Sequence, residues 1–181
     1  YRESLRCRNL LGEFLAFARS PEPALRKLNM GRIIRQNIRL FSRQNKYKKI
    51  TFSYERFETG IQAMVDPLQM TQVFMNLFMN ACDAMDVEGD IRVSLYRDNG
   101  ITIRVRDSGP GIKEDILDRI FTPFYSTKNR GTGLGLSVCR GIIEKHGGTI
   151  TAESRVSEYC EFIIHMPEVD NGIAATRSRR R

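Results

Sequence analysis

Polar side chains recur along one otherwise apolar segment, and their spacing could place them around a ligand. Read as a helix over residues 66–86, at about 100° per residue, this segment gathers four of them within an arc of roughly 80°: Gln72, Asn76, Asn80 and Asp83. A helix that is apolar around the rest of its circumference is a buried helix, so we expect the polar stripe to face the interior. Asparagine oxygens are hard ligands, which makes Asn76 and Asn80 candidate partners for Mg²⁺. The alternative is a core helix whose stripe lies against water or a backbone edge.

Asp107 ends a predicted strand and is followed by a glycine-rich turn. Strand alternation gives this carboxylate the same parity as Ile101, Ile103 and Val105, which predicts that it points inward. Glycines in the following Ser108-Gly109-Pro110-Gly111 let the backbone turn tightly and approach a ligand. An inward carboxylate in that setting suits the exocyclic amine of adenine and disfavours guanine. The alternative is a structural aspartate that caps a turn.

A second glycine-rich stretch, residues 131–136, leads into a predicted helix over about 134–145. Backbone N–H groups exposed by glycines at a helix start form an anion site. Neither the GxxxxGK[ST] loop nor the dinucleotide pattern GxGxxG is present, so another fold would have to hold the phosphates. Lys128 and Arg130, just upstream, could supply charge to terminal phosphates. Their alternative role is that of solvated loop cations.

Other kinds of catalytic site find little support in the sequence. No zinc spacing, nucleophile elbow or convincing Ser/His/Asp set occurs, and His146 and His165 are interpreted as structural. The four cysteines show no CxxC spacing, and Cys82 and Cys139 lie in predicted helices. This pattern indicates reduced, buried thiols and a cytosolic compartment.

The elements that must position these residues follow from periodicity. Helices are predicted over 2–18, 30–44, 66–86 and 134–145, with Asn29 and Asp66 as the N-caps of the second and third. Short strands are predicted over 51–56, 61–65, 91–95, 101–105, 149–153 and 160–166. The turn Asp98-Asn99-Gly100 predicts a hairpin. Residues 107–132, with one helical turn near 114–120, form a loop long enough to be functional. The helix over 2–18 carries an apolar stripe that needs a partner, and Ser20–Pro23 ends it.

The net charge of +8 is unevenly distributed. Residues 1–49 carry 13 basic and 3 acidic side chains, residues 50–170 carry 12 and 18, and the tail 171–181 carries four arginines. The basic excess is therefore peripheral, which disfavours a nucleic-acid-binding fold. No apolar run approaches the ~18 residues of a membrane span, and no signal peptide opens the chain. Tyr1 in place of Met suggests a start inside a longer protein.

Four stretches in this order resemble the ATP-binding catalytic domain of sensor histidine kinases, within the gyrase, chaperone, kinase and mismatch-repair ATPase superfamily. "QVFMNLFMNACDAM" is similar to the asparagine box and "DSGPGI" to the first glycine box. "FTPFYSTK" is similar to the phenylalanine box and "GTGLGLS" to the second glycine box. The resemblance covers roughly residues 50–166. The phenylalanine box running straight into the second glycine box is similar to the nitrogen-regulation type.

This resemblance implies an α+β fold, a two-layer α/β sandwich with a mixed sheet on one side, three helices on the other and a Bergerat-type ATP site. It implies ATP or ADP and Mg²⁺ as cofactors, with Asn80 as the magnesium ligand and Asn76 assisting. Asp107 would bind adenine, and Asn76, Asn80 and Lys128 would serve catalysis. The other implied nucleotide contacts, some under a mobile lid, are Gly109, Gly111, Ile112, Phe124, Lys128, Arg130, Gly131, Thr132, Gly133, Leu134, Gly135 and Leu136.

The resemblance also implies a division of the chain. Residues 1–20 would be the second helix of a dimerisation and phosphoacceptor hairpin, 21–29 a linker, 30–168 the catalytic domain and 169–181 a basic, disordered tail. The expected function is transfer of the γ-phosphate of Mg-ATP to a histidine on a hairpin outside this chain, for relay to a response-regulator aspartate. The parent protein would be a homodimer, cytoplasmic or membrane-anchored, with no nucleic acid as a partner.

Two alternatives belong to the same superfamily. In its ATP-hydrolysing conformational switches, a Glu four residues before the magnesium Asn is the general base for water. Here that position is Asn76, which cannot usefully accept a proton at neutral pH. The other alternative, an anti-sigma serine kinase, is disfavoured by the N-terminal helix and its linker. The last hairpin, "SRVSEYCEF", lacks the glycines usual there, so its geometry is open.

Overall fold

A five-stranded sheet with helices packed on one face forms the body of the computed structural model, which describes residues 22–128 and 131–169. The elements are β1 (Arg26–Asn29), α1 (Met30–Ser42), a 3₁₀ turn (Asn45–Tyr47), β2 (Lys49–Phe57), β3 (Gln62–Val65), α2 (Pro67–Ala84), β4 (Glu88–Arg97), β5 (Ile101–Asp107), α3 (Glu114–Leu117), α4 (Gly135–Lys145), β6 (Thr149–Arg155) and β7 (Tyr159–Met166). The helix predicted over 2–18 and the tail from residue 170 lie outside the described residues.

The main sheet has the strand order β2-β4-β5-β7-β6. β2 pairs with β4 in parallel, and the other three pairings are antiparallel, which confirms the predicted mixed sheet and the α+β class. β1 and β3 form a separate two-stranded ribbon. The strand β1 was not predicted, and it lies within the segment assigned to the linker. In the central strand β5, Asp107 stands opposite Ile91 on β4 and Cys160 on β7.

Both long N-terminal helices begin as their sequences predict. The Asn29 side chain accepts the Arg32 N–H at 2.9 Å at the start of α1. The Asp66 carboxylate accepts the N–H groups of Leu68 and Gln69 at the start of α2. Burial alone raises the pKa of Asp66, but these donors and the N–H of Ala24, 2.9 Å away, hold it below its usual value.

α2 packs between α1 and α4, and α4 runs antiparallel to it. At one end His146, which caps α4, accepts the Asp66 N–H through Nε2 at 3.0 Å. Its Nδ1 donates to the Ile142 carbonyl at 2.7 Å, so both ring nitrogens are engaged in structure, as interpreted from the sequence. At the other end, the Asn76 amide donates to the Gly135 carbonyl at 3.2 Å. α4 therefore covers α2 only from Asp66 to about Asn76.

This arrangement corrects the prediction that the polar stripe of α2 is interior. Gln72 and Asp83 are exposed, and Asn76 and Asn80 are half-buried. Asn80 and Asp83 are open because α4 begins beside Asn76, so the last two turns of α2 have no helix over this face. Gln72 is exposed one turn earlier, so it lies outside the side of α2 that α4 covers. The stripe is therefore open at this end of α2 and is not enclosed in the core.

The long loop after β5 is better anchored than its polar composition suggests. Ile120 and Phe121 are buried in the core, and the Phe121 ring meets Phe162 of β7 edge to face. The guanidinium carbon of Arg140, on α4, also lies over the Phe121 ring, 4.4 Å from its centroid. Among the described residues, no helix is long and apolar enough to cross a membrane.

Candidate functional site

Asp107 lies at the end of β5 with 3% of its surface exposed, as the strand parity predicted. Its Oδ1 accepts the Gly109 N–H at 2.9 Å. Burial raises the pKa of this carboxyl, and the N–H groups of Gly109 and Cys160 and the charge of Lys128 offset part of that rise. A Cβ at Gly109 would lie 2.8 Å from the carboxylate, so glycine keeps this side open. The structure thus presents a buried acceptor at a strand end.

The loop that follows Asp107 rests on the β6–β7 turn. The Pro110 carbonyl accepts the Ser157 N–H at 2.7 Å, and the Ile112 N–H donates to Ser154 Oγ at 2.7 Å. Gly111 has φ +68°, and any Cβ there would press on the backbone of this turn. Ser157 itself takes φ +65°, so a serine adopts the left-handed conformation for which the missing glycine is usual. The hairpin geometry is therefore kept without glycine.

The start of α4 provides an anion site. The helix begins at Gly135, one residue later than predicted, and among the described residues no side chain caps its first turn. Thr132 Oγ1 accepts the Leu134 N–H at 3.3 Å just before it. The next N–H groups have no intrahelical acceptor and carry the positive end of the helix dipole. Since α4 starts beside Asn76, these groups face the open part of α2.

The phenylalanine segment is tied to the second glycine segment. The Phe124 N–H donates to the Gly133 carbonyl at 3.0 Å, and both residues have positive φ, 64° and 71°. A Cβ at Gly133 would lie 2.5 Å from the Phe124 carbonyl carbon, so glycine is required for this approach. The Phe124 ring, expected to contact nucleotide, is 63% exposed.

Lys128 lies over the C-terminal end of α2. Its Nζ is 3.1 Å from Asp83 Oδ2, and both side chains are partly exposed. Asp83 is one turn beyond Asn80, whose side chain forms no hydrogen bond with any other described residue. The predicted phosphate cation and the predicted metal ligand are therefore brought to the same end of α2. Arg130, the other predicted cation, lies outside the described residues.

Sequence reasoning missed the support beneath the Asp107 loop. Ser108 Oγ accepts the Asp90 N–H at 3.0 Å and donates to Met85 Sδ at 3.3 Å. Met85 also lies under Gly109, with its Cγ 3.3 Å from where a Cβ would be. The chain leaves Met85 through two consecutive residues with positive φ, Asp86 and Val87. Aspartate tolerates this conformation, but a β-branched valine does not signal it, so the sequence did not predict the turn.

From these positions we infer a depression between the Asp107 loop, the end of α2 and the start of α4. It offers a buried carboxylate at one side and helix N–H groups with a lysine at the other. That combination fits a ligand with an amine-bearing ring and several negative charges. No group of three His, Cys, Asp or Glu side chains in 22–128 and 131–169 could hold a metal ion.

Comparison with known proteins gives consistent matches. The sequence profile of the family described as histidine kinase-, DNA gyrase B-, and HSP90-like ATPase matches residues 65–170. Sensor histidine kinase ZraS of Escherichia coli K12 is 35% identical over 167 residues, 92% of this chain and 36% of that protein. The solved catalytic domain of histidine kinase ThkA has a TM-score of 0.71 and 34% identity, covering 80% of this chain and 95% of that one.

A further solved structure is histidine kinase ThkA in complex with the response regulator protein TrrA. It has a TM-score of 0.78 and 29% identity, over 93% of this chain and 49% of that one. The chain spans only about a third of the length of its first curated relatives.

Proposed function

This chain belongs to the histidine kinase-, DNA gyrase B-, and HSP90-like ATPase family, and we propose that it binds Mg-ATP and transfers the γ-phosphate to a histidine outside residues 1–181. Its similarity to the ThkA catalytic domain places it among the histidine kinases of that family. The acceptor is proposed to lie outside because His146 is enclosed in the core and His165 bonds to Thr102 on the opposite sheet face. Neither imidazole is near the depression.

We assign the nucleotide as follows. The adenine amine donates to Asp107, the one acceptor buried at the end of β5. The phosphates lie at the start of α4, over the glycines at 131, 133 and 135, with Lys128 leaving Asp83 to meet them. Ile112, Phe124, Thr132, Leu134 and Leu136 border the ring and ribose. The carboxylate acceptor supports adenine over guanine as the base. The helix start without a side-chain cap supports a ligand with several phosphates over an uncharged one.

Magnesium would be held by Asn80, with Asn76 assisting, together with nucleotide phosphates. The residues fit this role, since the Asn80 amide is not engaged by other described residues and its oxygen is a hard ligand. No three-residue acidic or histidine cluster is described that could hold the ion alone. The ion would supply charge neutralisation at the transferring phosphate.

Asn76 is the single observation that favours a kinase over an ATP-hydrolysing switch. Its Nδ2 donates to the Gly135 carbonyl, so the amide joins α2 to the start of α4. An amide cannot take a proton from water at neutral pH, and this one is already engaged. The γ-phosphate is therefore kept for another acceptor.

By the same assignment, residues 1–20 belong to the dimerisation hairpin of a homodimeric parent, 30–168 form the catalytic domain, and the phosphohistidine passes its phosphate to a response regulator.

The test uses γ-labelled ATP with the chain alone and then with a histidine-bearing helical hairpin from the same parent protein. We expect no label and slow hydrolysis with the chain alone, because no imidazole can lie in line with the phosphate. The hairpin should then acquire acid-labile label. Asn80→Ala should abolish transfer, whereas Gln72→Ala, an exposed residue on the same stripe of α2, should not. Label on His146 or His165, or rapid hydrolysis without the hairpin, would contradict the assignment.

A further inference from the structure

A cleft of about 230 Å³ opens on the outer face of α1, lined by Arg32, Arg35, Gln36 and Arg39. These residues are spaced three and four apart, so they share one exposed side of the helix. Arg43 extends the same side by one more turn. α1 packs on the opposite flank of α2 from α4, so this cleft is separate from the depression at Asp107.

The guanidinium groups of this cleft have no acidic counterpart. In the part of the chain that the structure describes, Arg32, Arg35, Arg39 and Arg43 form no ion pair, and α1 contains no acidic residue. Some cations elsewhere on the surface do have acidic partners, such as Arg97 with Glu168 at 2.9 Å. Like charges three and four apart on a helix repel each other weakly, and a bound anion would relieve that repulsion.

One of these side chains is already held in place. The Arg35 guanidinium carbon lies 5.4 Å from the centroid of the Phe57 ring. Gly31 makes room for this stacking, since a Cβ there would lie 3.3 Å from the ring and 3.5 Å from Arg35 Nη1. A guanidinium fixed in orientation loses less conformational entropy when it binds a ligand. The cleft is thus partly preorganised.

We propose that this cleft binds an anion carrying two or more phosphate groups. Guanidinium forks bind phosphate oxygens in pairs, and successive arginines about 5–6 Å apart along the helix match neighbouring phosphates better than one small anion. Three positive charges in one cleft call for a multiply charged ligand. A free polyphosphate and the phosphate headgroups of an anionic bilayer share this chemistry. The site does not depend on the proposed kinase activity.

The main comparison uses three forms of the 181-residue chain. The first is the wild type, and the second, the cleft variant, carries Arg32→Gln, Arg35→Gln and Arg39→Gln. The third is a matched control that also loses three surface charges, at positions that have acidic partners: Arg56→Gln, Arg92→Gln and Arg155→Gln. Calorimetry with inorganic triphosphate measures the soluble source. Sedimentation with phosphatidylcholine vesicles, with and without phosphatidylglycerol, measures the lipid source.

We expect the cleft variant to lose about a hundredfold or more in affinity for at least one probe, and the control to lose severalfold at most. The probe that responds identifies the source. A double variant, Arg32→Gln with Arg39→Gln, leaves the Arg35–Phe57 contact intact and should show most of the loss even if the triple variant unfolds. Two results would overturn the proposal: equal losses in the cleft variant and the control, or no binding of either probe by the wild type.

Discussion

Replacing Asp107 by Asn is the most informative single change in the candidate nucleotide site. The substitution is nearly isosteric, and its remaining oxygen can still accept the Gly109 N–H that now lies 2.9 Å from Oδ1. What it removes is the second, negatively charged oxygen at a buried strand end. In its place stands an NH₂ group, which presents a donor to the donor amine of adenine.

The magnitude follows from the burial of this carboxylate. A hydrogen bond to a charged group contributes about 1.5–3 kcal/mol, and with 3% exposure water cannot replace it here. That range corresponds to a loss of roughly ten- to a hundredfold in ATP affinity. GTP affinity should change little, because guanine offers an acceptor at this position and gains nothing from the carboxylate.

The pH dependence gives a second signature. Burial raises the folded-state pKa of Asp107, so the folded protein binds this proton more tightly than the unfolded chain. The free energy of unfolding should therefore rise as pH falls through the raised pKa and level off below the pKa of the unfolded chain, whereas an ordinary surface aspartate would contribute nothing. ATP affinity should fall over the same interval, because the ionised acceptor is lost. Asp107→Asn should flatten both profiles and leave the protein at least as stable at neutral pH.

Calorimetry with ATP, ADP and GTP at several pH values, with thermal melts of the same samples, measures all of these effects. Asp98→Asn, the same substitution at an exposed aspartate in the turn at the other end of β5, is the matched control and should retain ATP affinity within severalfold. Unchanged ATP affinity in a folded Asp107→Asn variant would refute the assignment of the adenine pocket. A pH-dependent ATP affinity that persists in the variant would refute the electrostatic argument.

Three further predictions concern stability and reactivity. Asp66→Ala should lower the free energy of unfolding by about 1–2 kcal/mol in denaturant titrations, since it removes the cap of α2. Because N–H donors outweigh burial and lower the pKa of Asp66, this contribution should vanish as pH falls through that lowered pKa. A stability difference that does not depend on pH would contradict this. Gly133→Ala should lower the free energy of unfolding by at least about 1 kcal/mol, since φ is +71° and the Phe124 backbone fills the position of a Cβ. The control Gly141→Ala lies in open space within α4 and should be neutral or stabilising. Burial raises the pKa of the Cys82 thiol to about 11 and those of Cys139 and Cys160 to about 12. At neutral pH the native protein should therefore resist alkylation at these three thiols until denaturant is added. Rapid labelling of the native protein, seen by mass spectrometry, would contradict this.

Local signals predicted most of the fold because each acts within a few residues. Asn29 and Asp66 cap the helices that the sequence assigned to them, and the alternation in β5 placed Asp107 inward. The strand β1 escaped prediction because four residues with two cations carry no alternation, and only pairing with β3 makes them a strand. Burial of Ile120 and Phe121 was missed for a similar reason, since two apolar residues in a polar loop do not reveal where they pack.

In the candidate site too, the sequence predicted what depends on residue type and missed what depends on contacts between distant residues. Residue types identified Asp107, the glycines and Lys128, because each type implies a particular chemistry. The sequence could not show that Lys128 pairs with Asp83, since the two are 45 residues apart. Nor could it show that the polar stripe of α2 is open, because that depends on where α4 begins against its neighbour.

Asn76 shows how a single residue type can carry two consequences. From sequence it is the absence of a general base, because a glutamate at this position would activate water. In the structure its Nδ2 donates to the Gly135 carbonyl and so fixes the start of the helix whose N–H groups face the open end of α2. An ionised carboxylate has no hydrogen to donate, so a base at this position could not make the contact with the Gly135 carbonyl. The residue that disfavours hydrolysis is therefore also the one that holds the proposed phosphate site in register with Asn80.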